Sequence, residues 1–533
     1  MTFASLFSAA FWCVAGMCFA APLVWLMLII VSNPAGVVEL RLDAYRLELL
    51  GRTVFYNLAV ALVSFALAIP AAVALGRPRG WLTAPLMILL PVTLLLPSIT
   101  YEYGWKQALR LTGMLPSPQS VGDIGRCVWT LAAWLWPIPA AVAALVLRRV
   151  DPTVFEQALL DGVPTRTTLR LALQPLTAGA MVVFVLSAQE FAVFEPSGIS
   201  VVATEVRMVF ETGAFSSPTN PITQTFGAGA APGADHDQPA RSAAAIATGL
   251  PLTLCTLAVV VVGFQLARRW TVETELQIGP RPSAIRASVA THVIAYAILA
   301  VSMALPVAAL LVSLERSFDP VRVLREFWPQ ISGSILLAAA SAAVAALLVP
   351  EALRRRRLWV IAPAALCFLL GGQLTAIGLI RIFNRSTLAW VYDSPVVAIV
   401  AYVCRFGWIA LAASLATWQR PWQNLRDMSA VDGATVPQAV WRVVMPLAWP
   451  LISAAALLVA VLSLTEVAAT MLVAPQRPQP IVPMLMSWVH LQRYDAMIEG
   501  TLLLSGVVMI MALAVVAMAW LASRRLRRAR LVA

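Results

Sequence analysis

The chain has 533 residues, of which 60% are hydrophobic and 12% charged, with a mean hydropathy of +0.82. That composition excludes the water-soluble globular class, in which about a quarter of residues carry charge. The net charge of +12 raises the question of a nucleic-acid partner, but the placement of the arginines answers it in favour of a membrane.

A bilayer core is crossed by about 20 apolar residues, and twelve such runs follow one another at 8-32, 53-75, 81-98, 127-147, 177-195, 242-267, 288-313, 331-350, 358-380, 396-417, 447-472 and 499-522. The first has no basic residue before it and stays apolar to Val31, so it reads as a retained helix rather than a cleaved signal. With the N-terminus inside, the larger share of the 38 basic residues falls in inside loops, including Arg354 to Arg357 and the tail from Arg524 to Arg530. This is the positive-inside bias, and it predicts cytoplasmic termini and no nucleic-acid partner. Trp81, Trp134, Trp136 and Trp359 lie near span ends, as interfacial anchors do. The six cysteines, Cys13, Cys18, Cys127, Cys255, Cys367 and Cys404, sit in or beside apolar runs without CxxC spacing, and read as small buried hydrophobes.

The loop after the fourth run holds "EQALLDGVPTRTTLRLALQP" (156-175), which aligns without a gap to "DMSAVDGATVPQAVWRVVMP" (427-446) in the loop after the tenth. Glu156 pairs with Asp427, Asp161-Gly162 with Asp432-Gly433, and Pro175 with Pro446. The following run carries Leu-Ser-x-x-Glu in each case, which pairs Glu190 with Glu466. An even number of runs separates the copies, so both loops leave the same face and the halves are parallel. The fold expected is an all-α polytopic membrane protein of about twelve transmembrane helices in two six-helix repeats, 1-269 and 288-533, with a cytoplasmic linker at 270-287.

Each loop copy parses as two helices with a bend. In the first, Pro152 suits an opening position, Gly162 a left-handed helix end, and Pro164 a second start, with Pro175 limiting that second helix where the next span begins. Gly433 and Pro437 serve likewise in the second copy, and the Asp before each glycine is placed to accept turn amides. Such an elbow offers another protein a rigid knob rather than a catalytic group.

These segments resemble the "EAA" loop of ATP-binding-cassette importer permeases: Glu-Ala-Ala, three residues, Gly, and a Pro thirteen positions after it. Glu156, Ala158, Gly162 and Pro175 match; in the second copy Asp427, Met428 and Ser429 replace Glu-Ala-Ala, while Gly433 and Pro446 are kept. The resemblance covers essentially the whole chain and is to the fused form found in ferric-iron, thiamine and aminoethylphosphonate importers; "LSLTEVAATMLV" and "PIVPMLMSWVHLQRYDAM" look most like the iron type. It implies a cytoplasmic coupling helix in each loop, docked on an ATPase subunit present as a homodimer, a periplasmic or extracellular solute-binding protein, and a bacterial inner-membrane location. Lys106, the one lysine, is followed by Gln107, so the chain lacks the Lys-Ser/Thr of a P-loop. It is therefore expected to be a transport subunit rather than an enzyme, with no cofactor of its own and with ATP and magnesium held by the partner.

Charge within a span costs about 2.5 to 3.5 kcal/mol on insertion scales. Glu190 and Glu466 are accordingly candidates for the translocation path or gate, and Arg405 is a further in-span charge. Asp235-His236-Asp237 has metal-compatible ligand types but lies in a Gly/Ala/Pro-rich outer stretch, and His292 and His490 are isolated, so no metal site is expected. Two other classes stay open: a secondary transporter, which would carry broken helices and coupling carboxylates at midplane, and a polytopic membrane enzyme.

Overall fold

A computed structural model describes residues 3–32, 43–213, 238–273, 286–355, 358–418, 420–491 and 493–532. Asp235-His236-Asp237 and linker residues 274–285 lie outside them. Regular structure among the described residues is entirely helical. Ten helices are long and apolar enough to cross a membrane, and two bent pairs bring the total to as many as 12. The chain is a multi-pass membrane protein.

In order, the spans are Phe7–Ser32, Ala44–Gly76, the pair Gly80–Leu95 and Ser98–Leu111, Val121–Leu147, Pro164–Ala188, Pro239–Leu266, Val289–Val312, Trp328–Arg354, Ile361–Phe383, the pair Val396–Phe406 and Trp408–Ala416, Val436–Leu464, and Tyr494–Arg525. Each of the twelve apolar runs overlaps a helix or a bent pair, but the helices for the runs at 177-195 and 447-472 stop early, at Ala188 and Leu464. The third span turns by 94° at Leu96-Pro97 and the tenth by 44° at Gly407. The ninth is broken at Gly371, whose φ of 81° and ψ of 167° only glycine adopts readily.

Proline shapes the helices in a recurring way. A prolyl ring clashes with the carbonyl one turn earlier and supplies no N–H, and a π-helical turn makes room for it. The first span has such a turn at Gly16–Ala20 before Pro22, the seventh at Ala300–Ala304 before Pro306, and the eleventh at Ala439–Val444 before Pro446. Pro175 behaves otherwise than expected. It does not end the helix after the first elbow, which runs unbroken from Pro164 to Ala188. The adjoining turns are packed, with Ala172 and Leu176 buried, and that packing holds the helix together across the missing bond.

Two compact units divide the chain, one of Arg41–Gly229 with Thr248–Phe318, the other of Met1–Leu40 with Ala230–Ala247 and Asp319–Ala533. The first span thus belongs with the later spans, and the seventh with the earlier ones. Small residues permit both associations. A Cβ at Gly378 would lie 3.2 Å from Leu26 Cγ of the first span, and one at Gly104 would meet Pro306 of the seventh at 2.5 Å. Cys367 Sγ donates to the Phe19 carbonyl at 3.4 Å. On the seventh span, Tyr296 donates to the Leu82 carbonyl at 2.7 Å, and the buried His292 lies 3.1 Å from Thr83 Oγ1. Trp136 is no interfacial anchor: it is fully buried and donates to Ser302 Oγ at 3.1 Å. Trp81 and Trp359 are exposed as anchors should be.

Candidate functional site

The sequence carries the elbow twice. Residues Pro152–Leu160 form a helix whose N-cap, Asp151, accepts from the Thr153 amide at 3.0 Å. Its end is closed by two backbone bonds, Val163 N–H to Ala158 O at 2.9 Å and Gly162 N–H to Leu159 O at 3.1 Å, with Gly162 at φ 70°. This is the Schellman pattern. The second copy repeats it: Ala434 to Ser429 at 2.9 Å, Gly433 to Ala430 at 3.0 Å, Gly433 at φ 79°. Pro164 then opens one outgoing helix, while Thr435 opens the other with a capping box to Gln438. Asp161 and Asp432 are exposed, and the bonds that close the turns among the described residues are backbone ones, so these aspartates do not bond the turn amides as the sequence led us to expect.

Each elbow helix is anchored on one side and bare on the other. Phe155 is buried in the core of its unit, and Trp422 in the core of the other. Arg77 lies 3.8 Å above the Phe155 ring; burial pushes its pKa down to about 10, a cost that the ring's negative face offsets. Arg426 lies 4.0 Å above Trp418 and donates to the Leu353 carbonyl at 2.9 Å; burial lowers its pKa as well. Arg148 donates to the Leu75 carbonyl at 2.7 Å. In both units, then, an arginine beside the elbow satisfies a carbonyl at a span's end. Ala158 and its counterpart Ser429 face inward; Glu156 and Asp427 face out. At the bare tips Leu160 is 87% and Val431 88% exposed.

The two glutamates expected inside spans form the second set, and they lie just past helix ends instead, Glu190 after Ala188 and Glu466 after Leu464. Glu190 accepts from Ser98 Oγ at 3.2 Å and from the Ala192 amide at 3.1 Å. Ser98 is the first residue after the break in the third span. Glu466 accepts from the Ala469 amide at 3.0 Å and pairs with Arg405 at 2.9 Å. Its carboxylate lies against Gly372, where a Cβ would strike Glu466 Oε1; Gly372 is the first residue after the break in the ninth span. Each glutamate therefore sits where a half-helix begins, an end whose dipole favours negative charge. Tyr402 and Thr470 hydroxyls meet at 2.8 Å nearby in sequence.

A buried cluster lay beyond the sequence reading. Arg126 donates to Glu102 at 2.8 Å and to Asp123 at 2.9 Å, and also reaches Ser197. All four residues are buried. Apolar runs that stop at 98 and resume at 127 place Glu102, Asp123 and Arg126 in a loop. The signal available was local: Ser120 caps the helix by accepting from the Asp123 amide at 3.2 Å, and Asp123 and Arg126 stand three apart.

Two short helices that follow the fifth and eleventh spans are tethered alike. Thr53 Oγ1 accepts from the Val202 amide at 3.0 Å, and Ser334 Oγ from the Ile481 amide at 2.8 Å, each hydroxyl holding the start of a short helix, Val202–Thr212 or Ile481–His490.

No family model, no curated protein and no solved structure matches the chain.

Proposed function

We propose that the chain is the transmembrane permease of an ATP-binding-cassette importer, built as two parallel six-span repeats with a cytoplasmic coupling helix in each, and that its solute is ferric iron. Thiamine and aminoethylphosphonate are the alternative solutes, and the iron assignment rests on sequence resemblance. The observation that carries the permease reading is the paired elbow: two sequence copies half a chain apart, closed by the same backbone turn, each presenting one large apolar side chain at its tip. The π-turn and proline shared by the first and seventh spans, and the glutamates beside the third and ninth span breaks, support the duplication.

In this reading an ATPase homodimer, holding ATP and magnesium, grips both tips in the cytoplasm of a bacterial inner membrane. A solute-binding protein delivers solute on the opposite side. Closure of the ATPases moves the elbows together, and rigid-body rocking alternates access to the path. Replacing Gly162 and Gly433 with valine, which adopts positive φ poorly, abolishes co-purification of the ATPase; undiminished binding overturns the docking role.

Ion-coupled secondary transport is the second reading. The carboxylates at the broken third and ninth spans favour it. Transport driven by a proton or sodium gradient without an ATPase would decide for it.

A further inference from the structure

The Pro446 carbonyl lacks its usual helical partner because the residue one turn on, Pro450, has no N–H. Arg525, on the last helix (Tyr494–Val532), takes that place: its Nη1 donates to the Pro446 carbonyl at 3.0 Å. The same guanidinium lies 5.3 Å from the Trp449 ring, and its neighbour Arg524 covers the Trp520 ring at 3.6 Å. Trp441, Trp449 and Trp520 are each between two-fifths and one-half exposed, and Arg442, Arg524 and Arg525 are exposed with them. No acid occurs in residues 439–450 or 517–525, so the positive charge of these turns is not neutralised from within them.

Half-exposed indoles belong where hydrocarbon meets water. A guanidinium at that depth is weakly hydrated and forked to suit a phosphate. We propose that this face binds the phosphodiester headgroup of an anionic phospholipid of the surrounding bilayer. Arg524 and Arg442 supply the charge, the Trp449 and Trp520 rings pack against the glycerol and the upper acyl chain, and the carbonyl bond holds Arg525 in register. Arg527, Arg528 and Arg530 follow in the sequence and extend the charge. A lipid seated here braces the helix that follows the second elbow. The first copy has no counterpart, since Pro175 is followed one turn later by Gly179, which keeps its N–H. The proposal requires only that the chain span a membrane and is independent of the transport reading.

The test uses the full chain in detergent, equilibrated with phosphatidylglycerol and phosphatidylcholine, with retained lipids counted by native mass spectrometry. The chain is expected to retain phosphatidylglycerol preferentially. A cation near a membrane surface contributes about 1 kcal/mol, or about fivefold, so Arg524→Gln, which breaks no backbone bond, lowers that preference about fivefold. The triple change Arg442→Gln/Arg524→Gln/Arg525→Gln removes it, and the triple lysine variant retains most of it. Unchanged preference in the glutamine variants overturns the proposal. So does an equal loss in the lysine variant, which would make the arginines purely structural, and so does displacement of the lipid by millimolar inorganic phosphate, which would make the site one for a soluble anion.

Discussion

Truncating the two elbow tips separates docking from folding. Leu160 and Val431 are 87% and 88% exposed in the chain by itself, so Leu160→Ala and Val431→Ala remove almost no internal packing. If the tips are buried by an ATPase subunit, each lost carbon costs about 0.8 kcal/mol of transfer free energy. Leu160→Ala loses three carbons and then forfeits about 2.4 kcal/mol, or about 60-fold in Kd, and Val431→Ala loses two and forfeits about 1.6 kcal/mol, or about 15-fold. The sites are far apart in sequence and each meets a different subunit of the ATPase dimer, so the double variant should weaken binding by about the product, roughly 900-fold. The assay is retention of the ATPase by immobilised chain over a concentration series, with the thermal midpoint of the chain alone as control. The account expects that midpoint to stay within about 1 °C while Kd rises. Binding within about twofold of the parent in both single variants, with the chain intact, would show that the tips do not dock.

Gly372→Ala should be severe for its size, because the new Cβ collides with Glu466 Oε1 and stands 2.8 Å from the Ala469 amide; a loss of about 1 to 3 kcal/mol by overpacking is expected in thermal unfolding, against little change for Gly506→Ala, where nothing lies within 4 Å. Glu466→Met leaves Arg405 buried without its carboxylate and should cost about 3 to 5 kcal/mol, whereas Arg405→Met/Glu466→Met recovers most of that; strictly additive losses in the cycle contradict the pairing. Thr53→Ala and Ser334→Ala each remove the acceptor of a buried amide, a cost of about 1 to 3 kcal/mol, and should raise hydrogen exchange in Val202–Thr212 and Ile481–His490 respectively; equal exchange in parent and variants would show that the hydroxyls do not hold these helices.

Much of this was legible because hydropathy and glycine are local signals. The twelve apolar runs gave the helices, and Asp-Gly before a proline gave both elbow turns with their left-handed glycines. Tertiary relations were less accessible. No property of residues 8-32 announces that this helix packs with the later spans, since that depends on Gly378 and Gly407 lying opposite it. Pro175 misled because a proline's local tendency to break a helix yields to packing on both sides of it. Trp136 misled because a tryptophan near a span end has the same sequence appearance whether it faces lipid or, as here, Ser302. Glu102, Asp123 and Arg126 look like loop residues because their charge lowers hydropathy, although pairing allows all three to be buried. Glu190 and Glu466 were found from their spacing, but their places at the starts of half-helices depend on breaks at Pro97 and Gly371.

If a separate ATPase drives this chain through its two elbows, reconstitution reveals the coupling. The purified chain is placed in proteoliposomes with a candidate ATPase and a solute-loaded binding protein, and ATP hydrolysis and solute uptake are measured together. Two ATPase copies are expected per chain, with uptake that follows ATP hydrolysis, is stimulated by the binding protein, and is lost on changing Leu160 and Val431 together. Uptake by the chain alone, sustained by an ion gradient and indifferent to ATP, would contradict it.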